Sequence, residues 1–148
     1  MKKRVDFTLL SAILVYMNDT KAENSLKDFN DLEFKPHPNS SGVMARFAFG
    51  PVEVQGSKKG DHRYEISVVA NKGGDGGHYG NVEDNVYEVA MFHHGAYIPL
   101  QVSDDVLGWQ TPEQITELMN QAQLNDFAWV CKLRGERAAL RKELGLDN

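Results

Sequence analysis

The sequence predicts an α+β fold: an N-terminal helix, an antiparallel β-meander of about four to five strands, and two C-terminal helices packed on the sheet. Apolar residues alternate with period two at several places between 43 and 102, a sharp helix-start signal stands at Thr111, and the strand–helix–strand repeat of a parallel sheet is missing. The divisions are 1–35 for the helical segment, 43–102 for the sheet and 111–145 for the helical pair. All lie in a single domain of 148 residues, a size at which one core buries about two-thirds of the surface of the unfolded chain.

Lys2, Lys3 and Arg4 precede an apolar run from Phe7 to Met17, with the small Ala22 a few residues later, a layout shared with secretory signals. Asp6, Ser11 and Tyr16 dilute that run, and it is too short to span a bilayer as a helix. Leu10, Ile13, Leu14 and Met17 fall on one helical stripe, so a core helix is the preferred reading. The polar stretch 18–34, with Leu26, Phe29, Leu32 and Phe34 as its apolar points, reads as a short helix or an ordered connection. Two prolines among turn formers from Lys35 to Gly42 make the clearest break in the chain, and the sheet is expected beyond it.

Val43, Ala45, Phe47 and Phe49 line one face of a strand against Met44, Arg46 and Ala48 on the other. Tyr64, Ile66, Val68 and Ala70 do the same for a second strand. A third runs from Tyr87 to Phe92 and is expected to return over Tyr97–Val102, across a tight connection in which Gly95 supplies positive φ. Ser103-Asp104-Asp105 reads as a corner that turns Trp109 in to pack against the helices. Thr111, Pro112 and Gln114 form an N-cap, a first-turn proline and a capping box, ahead of the apolar stripe Ile115, Leu118, Met119 and Ala122. Asn125 or Asp126 then caps a second helix, 127–144, whose buried side is Trp129, Leu133, Leu140 and Leu144, and Gly145 stops it.

The chain is 41% apolar and 25% charged, ordinary globular usage, and its formal net charge of −5 argues against general nucleic-acid binding. Cys131 is the only cysteine; it cannot form an internal disulfide and reads as a small packed residue inside a helix, which suits a reducing cytoplasm. No cofactor signature is present. Residues 73–80 form a glycine-rich loop, but neither the glycine spacing nor the following helix of a phosphate loop accompanies them, and Asp75, Glu83 and Asp84 repel anions, so a tight loop is the preferred reading. His78, His93 and His94 could form a metal site only if the strand ends converge, and the His-His pair is more simply a solvated turn. No nucleophile motif accompanies them.

Arg134, Arg137 and Arg141 recur at three- and four-residue spacing along the last helix with no acid at helical spacing to pair with them. Either Asp104, Asp105 or the Glu83-Asp84 segment meets that stripe within the fold, or an anionic ligand or partner meets it from outside.

The stretch from about Tyr64 to Ala122 resembles a family of small uncharacterised accessory proteins of tailed bacteriophages. The resemblance rests on Ile66-Ser67-Val68-Val69, the glycine-rich turn with Tyr79-Gly80, Tyr87-Glu88-Val89-Ala90, and Asp104-Asp105-Val106-Leu107-Gly108-Trp109 leading into Thr111-Pro112-Glu113. It covers less than half of the chain and brings no catalytic residues with it. It implies a non-enzymatic, cytoplasmic protein that binds and inhibits a host or anti-phage defence component. A variant of that expectation sequesters an anionic nucleotide signal, with Arg134, Arg137 and Arg141 holding phosphates and Tyr79 or Trp109 stacking on a base. A metal-assisted hydrolase using the histidines and a minor virion protein are the alternatives. No membrane partner is expected, and self-association stays open.

Overall fold

Two strands with matched alternation make the centre of the sheet. Val43 pairs with Ala70, Ala45 with Val68, Phe47 with Ile66 and Phe49 with Tyr64 in antiparallel register, so the apolar sets of both strands face one side. The structure, a computed structural model, describes residues 26–52, 62–74 and 76–146. Apart from Leu26 and Val52, these residues belong to one compact unit. Its elements are a 3-10 turn at Phe29–Asp31, strands β1 (Lys35–Pro36), β2 (Val43–Phe49), β3 (Tyr64–Ala70), β4 (Tyr87–His93), β5 (Ala96–Tyr97) and β6 (Leu107–Gln110), and helix α1 (Pro112–Glu143). The sheet order is β1-β2-β3-β4-β5, and β6 also pairs with β4. β5 takes the His93 end of β4 and β6 takes the Tyr87 end.

The sheet differs from expectation in extent. Among the described residues it has six strands rather than four or five, and one of the additions is Lys35–Pro36, which pairs with β2 instead of only breaking the chain. An edge strand tolerates Pro36, which has no N–H to give. The return strand stops at Tyr97 rather than continuing to Val102. Pro99 cannot donate to a ladder, and Ile98 and Leu100 turn into the core instead, at 0% and 9% exposure. His94 (φ 49) and Gly95 (φ 80) supply the two positive-φ residues of a primed hairpin turn between β4 and β5.

The helical end is corrected as well. One long helix runs from Pro112 to Glu143 where two were expected, and only Asp126 leaves helical geometry within it (φ 48, ψ −134). Its start follows the expectation atom by atom: Gln114 N donates to Thr111 Oγ1 and Thr111 N donates to Gln114 Oε1. At its end Gly145 (φ 73) lets Leu146 N reach the Arg141 carbonyl and Gly145 N reach that of Lys142. Ile115, Met119, Ala122, Trp129 and Val130 are buried, whereas Leu144 stays exposed, and so does Cys131. The expected N-terminal helix lies outside the described residues. Among the described residues no helix is long and apolar enough to cross a membrane.

Helix α1 packs against β4, β6 and the 3-10 turn. Gln123, only 2% exposed, holds the incoming chain by both ends of its amide: Oε1 accepts from Lys27 N (2.6 Å) and Nε2 donates to the Lys27 carbonyl (2.8 Å). The rings of Phe29, Phe34 and Tyr87 then meet with centroids 5.2 to 5.7 Å apart, Phe34 stacked on Tyr87 and Phe29 tilted against both, closing that side of the core.

Asp126 falls on the apolar line 115, 119, 122, 126, 129, 133, where a carboxylate must find donors. It accepts from the fully buried Tyr64 hydroxyl at 2.6 Å and from Arg63 Nη1 at 3.1 Å. Its backbone occupies a region normal for glycine in primed turns. Asp126→Gly is therefore expected to be more stable than Asp126→Ala by about 1 kcal/mol, since both lose the carboxylate and only alanine keeps the strain. Chemical denaturation of the two variants measures the difference; equal stabilities would place no strain at this residue.

Candidate functional site

β6 contributes two residues, Gly108 and Trp109, opposite the single residue Glu88, because Tyr87 pairs with Gln110 and Val89 with Leu107. Such a bulge re-aims a side chain and is usual beside functional sites. The bulge places Trp109 in the left-handed region (φ 57), which a bulky residue rarely adopts. Trp109 N donates to the Tyr79 carbonyl at 2.8 Å, and Tyr79 N donates to Glu88 Oε1 at 2.8 Å, so the two aromatic residues share one hydrogen-bonded frame. Gly108 is required there, since a Cβ at that position would stand 2.6 Å from the Tyr79 Cβ. Both rings face solvent, Tyr79 at 60% and Trp109 at 55% exposure, with centroids 6.5 Å apart. Trp109 therefore does not pack against the helix as the Asp104-Asp105 corner suggested. The arrangement offers apolar ring surface beside a carboxylate.

The glycine-rich loop that delivers Tyr79 is organised by Asn71. Its amide exchanges hydrogen bonds with the backbone of His78, Nδ2 to the carbonyl at 2.8 Å and Oδ1 from the N–H at 3.1 Å. Gly73 N donates to Glu83 Oε2 at 2.9 Å, and that hydrogen bond is the main reason the Glu83 carboxyl titrates below its ordinary value. The protein's own carboxylate thus takes a backbone donor that a phosphate loop would offer to a ligand.

The arginine stripe divides. Arg137 Nη1 donates to Asp105 Oδ1 at 2.5 Å, Nε to the Val102 carbonyl at 3.2 Å and Nη2 to the Gln101 carbonyl at 2.8 Å. This guanidinium fastens the loop 101–105 to the second half of the helix, the internal pairing that Asp105 offered in sequence. Arg141 Nη2 donates to the Leu146 carbonyl at 2.9 Å, reinforcing the helix end. Arg134 alone of the three makes no hydrogen bond or ion pair among the described residues.

The histidines do not converge. His78 meets Ser40 Oγ (3.1 Å) and the His37 ring (4.8 Å) beyond the Ala70 end of β3, while His93 and His94 lie at its Tyr64 end. A seven-residue strand separates the two groups by about 20 Å. Among the described residues no group of three or more His, Cys, Asp or Glu side chains is placed to hold a metal ion. His93 is 8% exposed and sits among the rings of Tyr64 (5.0 Å), His94 (4.5 Å) and Phe127 (5.3 Å). Burial, followed by the nearby His94 and Arg134, holds its imidazole below the ordinary value; Asp126 opposes this and Arg63 adds to it. The missed signal in the sequence is Asp126, an acid on an otherwise apolar helical line facing a strand that ends in two histidines.

No protein-family model, curated protein or solved structure matches this chain.

Arg137→Ala is expected to lower stability by about 1–2 kcal/mol, because it strands Asp105 and two carbonyls, whereas Arg134→Ala stays within about 0.5 kcal/mol. Paired denaturant titrations check the contrast, which disappears if the stripe is a uniform solvated face. His93 adds a pH dependence. Its folded value lies below the unfolded one, so the unfolded chain binds more protons in the interval between them. Its contribution is therefore fully present above the unfolded histidine value and is lost as pH falls from there through the lower folded value, by at most about 1.4 kcal/mol per pH unit. Melting temperatures from pH 7.5 to 5 should fall less steeply in His93→Phe than in the parent protein.

Proposed function

We propose that this chain is a non-enzymatic binding protein that engages a partner protein through Tyr79 and Trp109. The observation that carries the reading is Trp109: a large aromatic, more than half exposed, held at φ 57 by a bulge and by a hydrogen bond to its neighbour in the pair. Left-handed backbone costs a residue with a Cβ about 1–2 kcal/mol, and an exposed ring returns little of that to the fold. Exposed aromatic residues on a rigid frame are the usual anchors of protein interfaces. Glu88 beside the rings and the net charge of −5 favour a neutral or basic protein surface over a phosphate-bearing one at this place.

The resemblance to accessory proteins of tailed bacteriophages supports a host or anti-phage defence component as the partner, met in the cytoplasm, with inhibition by occupancy as the outcome. The nucleotide-sequestering version loses support from the stripe, because Arg137 and Arg141 already serve the fold. The hydrolase version loses support from the separated histidines. A virion role has no observation of its own in its favour.

Trp109→Gly gives the test. Glycine relieves the left-handed strain while removing the ring, so stability should stay within about 1 kcal/mol of the parent. Affinity capture from host cells should retain a partner on the parent protein and lose it, by tenfold or more, on Trp109→Gly and on Tyr79→Ser. A partner that binds all three equally would remove the aromatic pair from the interface. Recovery of the protein in purified particles would favour the virion role instead.

A further inference from the structure

The break in α1 assembles a second group of side chains at the end of the sheet away from Trp109. Asp126 leaves helical geometry and turns its carboxylate to Tyr64 and Arg63. The next residue, Phe127, is 48% exposed and lays its ring on His93, with centroids 5.3 Å apart and planes at 22°. Arg134 follows Phe127 by seven residues, close to two helical turns, and therefore shares its face of the helix. Helical side chains lean toward the N-terminus, which sends the Arg134 guanidinium back toward Phe127 and the imidazole beneath it. Arg134 is near enough to weigh on the charge state of His93.

Two features set this group apart from an ordinary surface cluster. His93 is a buried residue, 8% exposed, yet neither ring nitrogen has a hydrogen-bond partner among the described residues, although buried polar groups are nearly always satisfied. The half-buried Arg134 likewise has no hydrogen-bond or ion-pair partner among the described residues. Among the described residues, the charged and titratable groups around the imidazole are His94 on the hairpin, Arg63 ahead of β3, Tyr64 at its start, and Asp126 and Arg134 on the helix. Arg63 Nη1 pairs with the Asp126 carboxylate at 3.1 Å.

We propose that Arg134, His93 and His94 form a binding site for a phosphate group, free or carried as a monoester, whose oxygens supply the acceptors that the guanidinium and the buried imidazole lack. Arginine provides paired N–H donors at phosphate spacing, and an imidazole that gains a proton as the anion arrives provides another. Asp126 and Arg63 hold the hairpin and the helix break in place and act as positioning residues. Phosphate opposes the influences that keep His93 neutral, so binding and protonation of His93 favour one another. The site is independent of the Tyr79–Trp109 surface, which lies at the other end of the sheet.

The experiment follows the imidazole proton resonances of the full chain at pH 7 while inorganic phosphate replaces chloride at constant ionic strength. The expected result is a saturable shift of His93 and His94 at millimolar phosphate and a rise in the His93 titration midpoint when phosphate is present. Arg134→Gln, which removes no hydrogen bond or ion pair among the described residues and keeps most of the side-chain length, should weaken the phosphate effect tenfold or more while its melting temperature stays within about 2 °C of the parent's. The proposal is overturned if the shifts grow without saturation, as general screening would produce, or if Arg134→Gln binds phosphate as well as the parent does. Phenyl phosphate forms the second arm. Tighter binding than inorganic phosphate would assign the site to ring-bearing esters that stack on Phe127, and equal binding would assign it to the phosphate group alone; binding of neither would overturn it.

Discussion

The contact between Asp126 and the start of β3 is the constraint on which the rest of the structure turns. A carboxylate on the apolar line of a helix is costly unless donors reach it, and here a fully buried tyrosine hydroxyl and a guanidinium both do. Satisfying it forces the helix out of regular geometry for one residue. That single departure lets the half with Ile115, Met119 and Ala122 and the half with Trp129 and Val130 each bury an apolar side. It also fixes where Phe127 meets His93, and thereby what stands over the β4–β5 hairpin. Replacing the pair by apolar residues would still fill the core, but nothing would then set the break at this residue; the polar contact specifies position more than it adds stability.

The two ends of β4 are finished differently. The outer face of the sheet carries Arg46, which binds Glu65 with two hydrogen bonds (2.7 and 3.1 Å) and lies 5.7 Å from the centre of the Phe92 ring. The hydrogen bonds from Arg46 are the first reason that the Glu65 carboxyl titrates below its ordinary value. That region is self-complementary: charge meets charge and cation meets ring. Around the bulge of β6 the pattern changes, because Tyr79 and Trp109 meet each other at a tilt and leave most of their surface to water.

How much of this was legible depended on how local each cause is. The alternation of β2 and β3, the capping box at Thr111 and the turn at His94-Gly95 are set by residues within a few positions, and the structure follows them closely. Asp126 was not legible, because an acid before an apolar helical run looks the same in sequence whether it caps a new helix or bonds across the core. The deciding partner, Tyr64, is 62 residues away. Arg137 was half legible: Asp105 was a visible candidate, but the two backbone carbonyls that complete its grip belong to a loop whose path no pattern encodes. The exposure of Trp109 has no local sign in the sequence for the same reason, since one extra residue in a bulge reverses the side to which every following side chain points.

Asp126 and Trp109, both held at positive φ, differ in what compensates them, and that difference bears on where function should be sought. Asp126 holds a backbone suited to glycine, and in exchange the core gains two charge-assisted or buried hydrogen bonds that hold the helix to the sheet. Its strain is accounted for within the fold. Trp109 holds a backbone suited to glycine while its ring makes one tilted contact with a residue that is itself exposed. A glycine there would serve the bulge at least as well, so the fold alone does not explain the tryptophan. Strain of the first kind belongs to architecture, and strain of the second kind needs something outside the chain to balance it. By that criterion Arg134 and His93 fall between the two: they are unstrained, but their donors and acceptors are unmatched within the described residues, which is the electrostatic counterpart of a ring left in water.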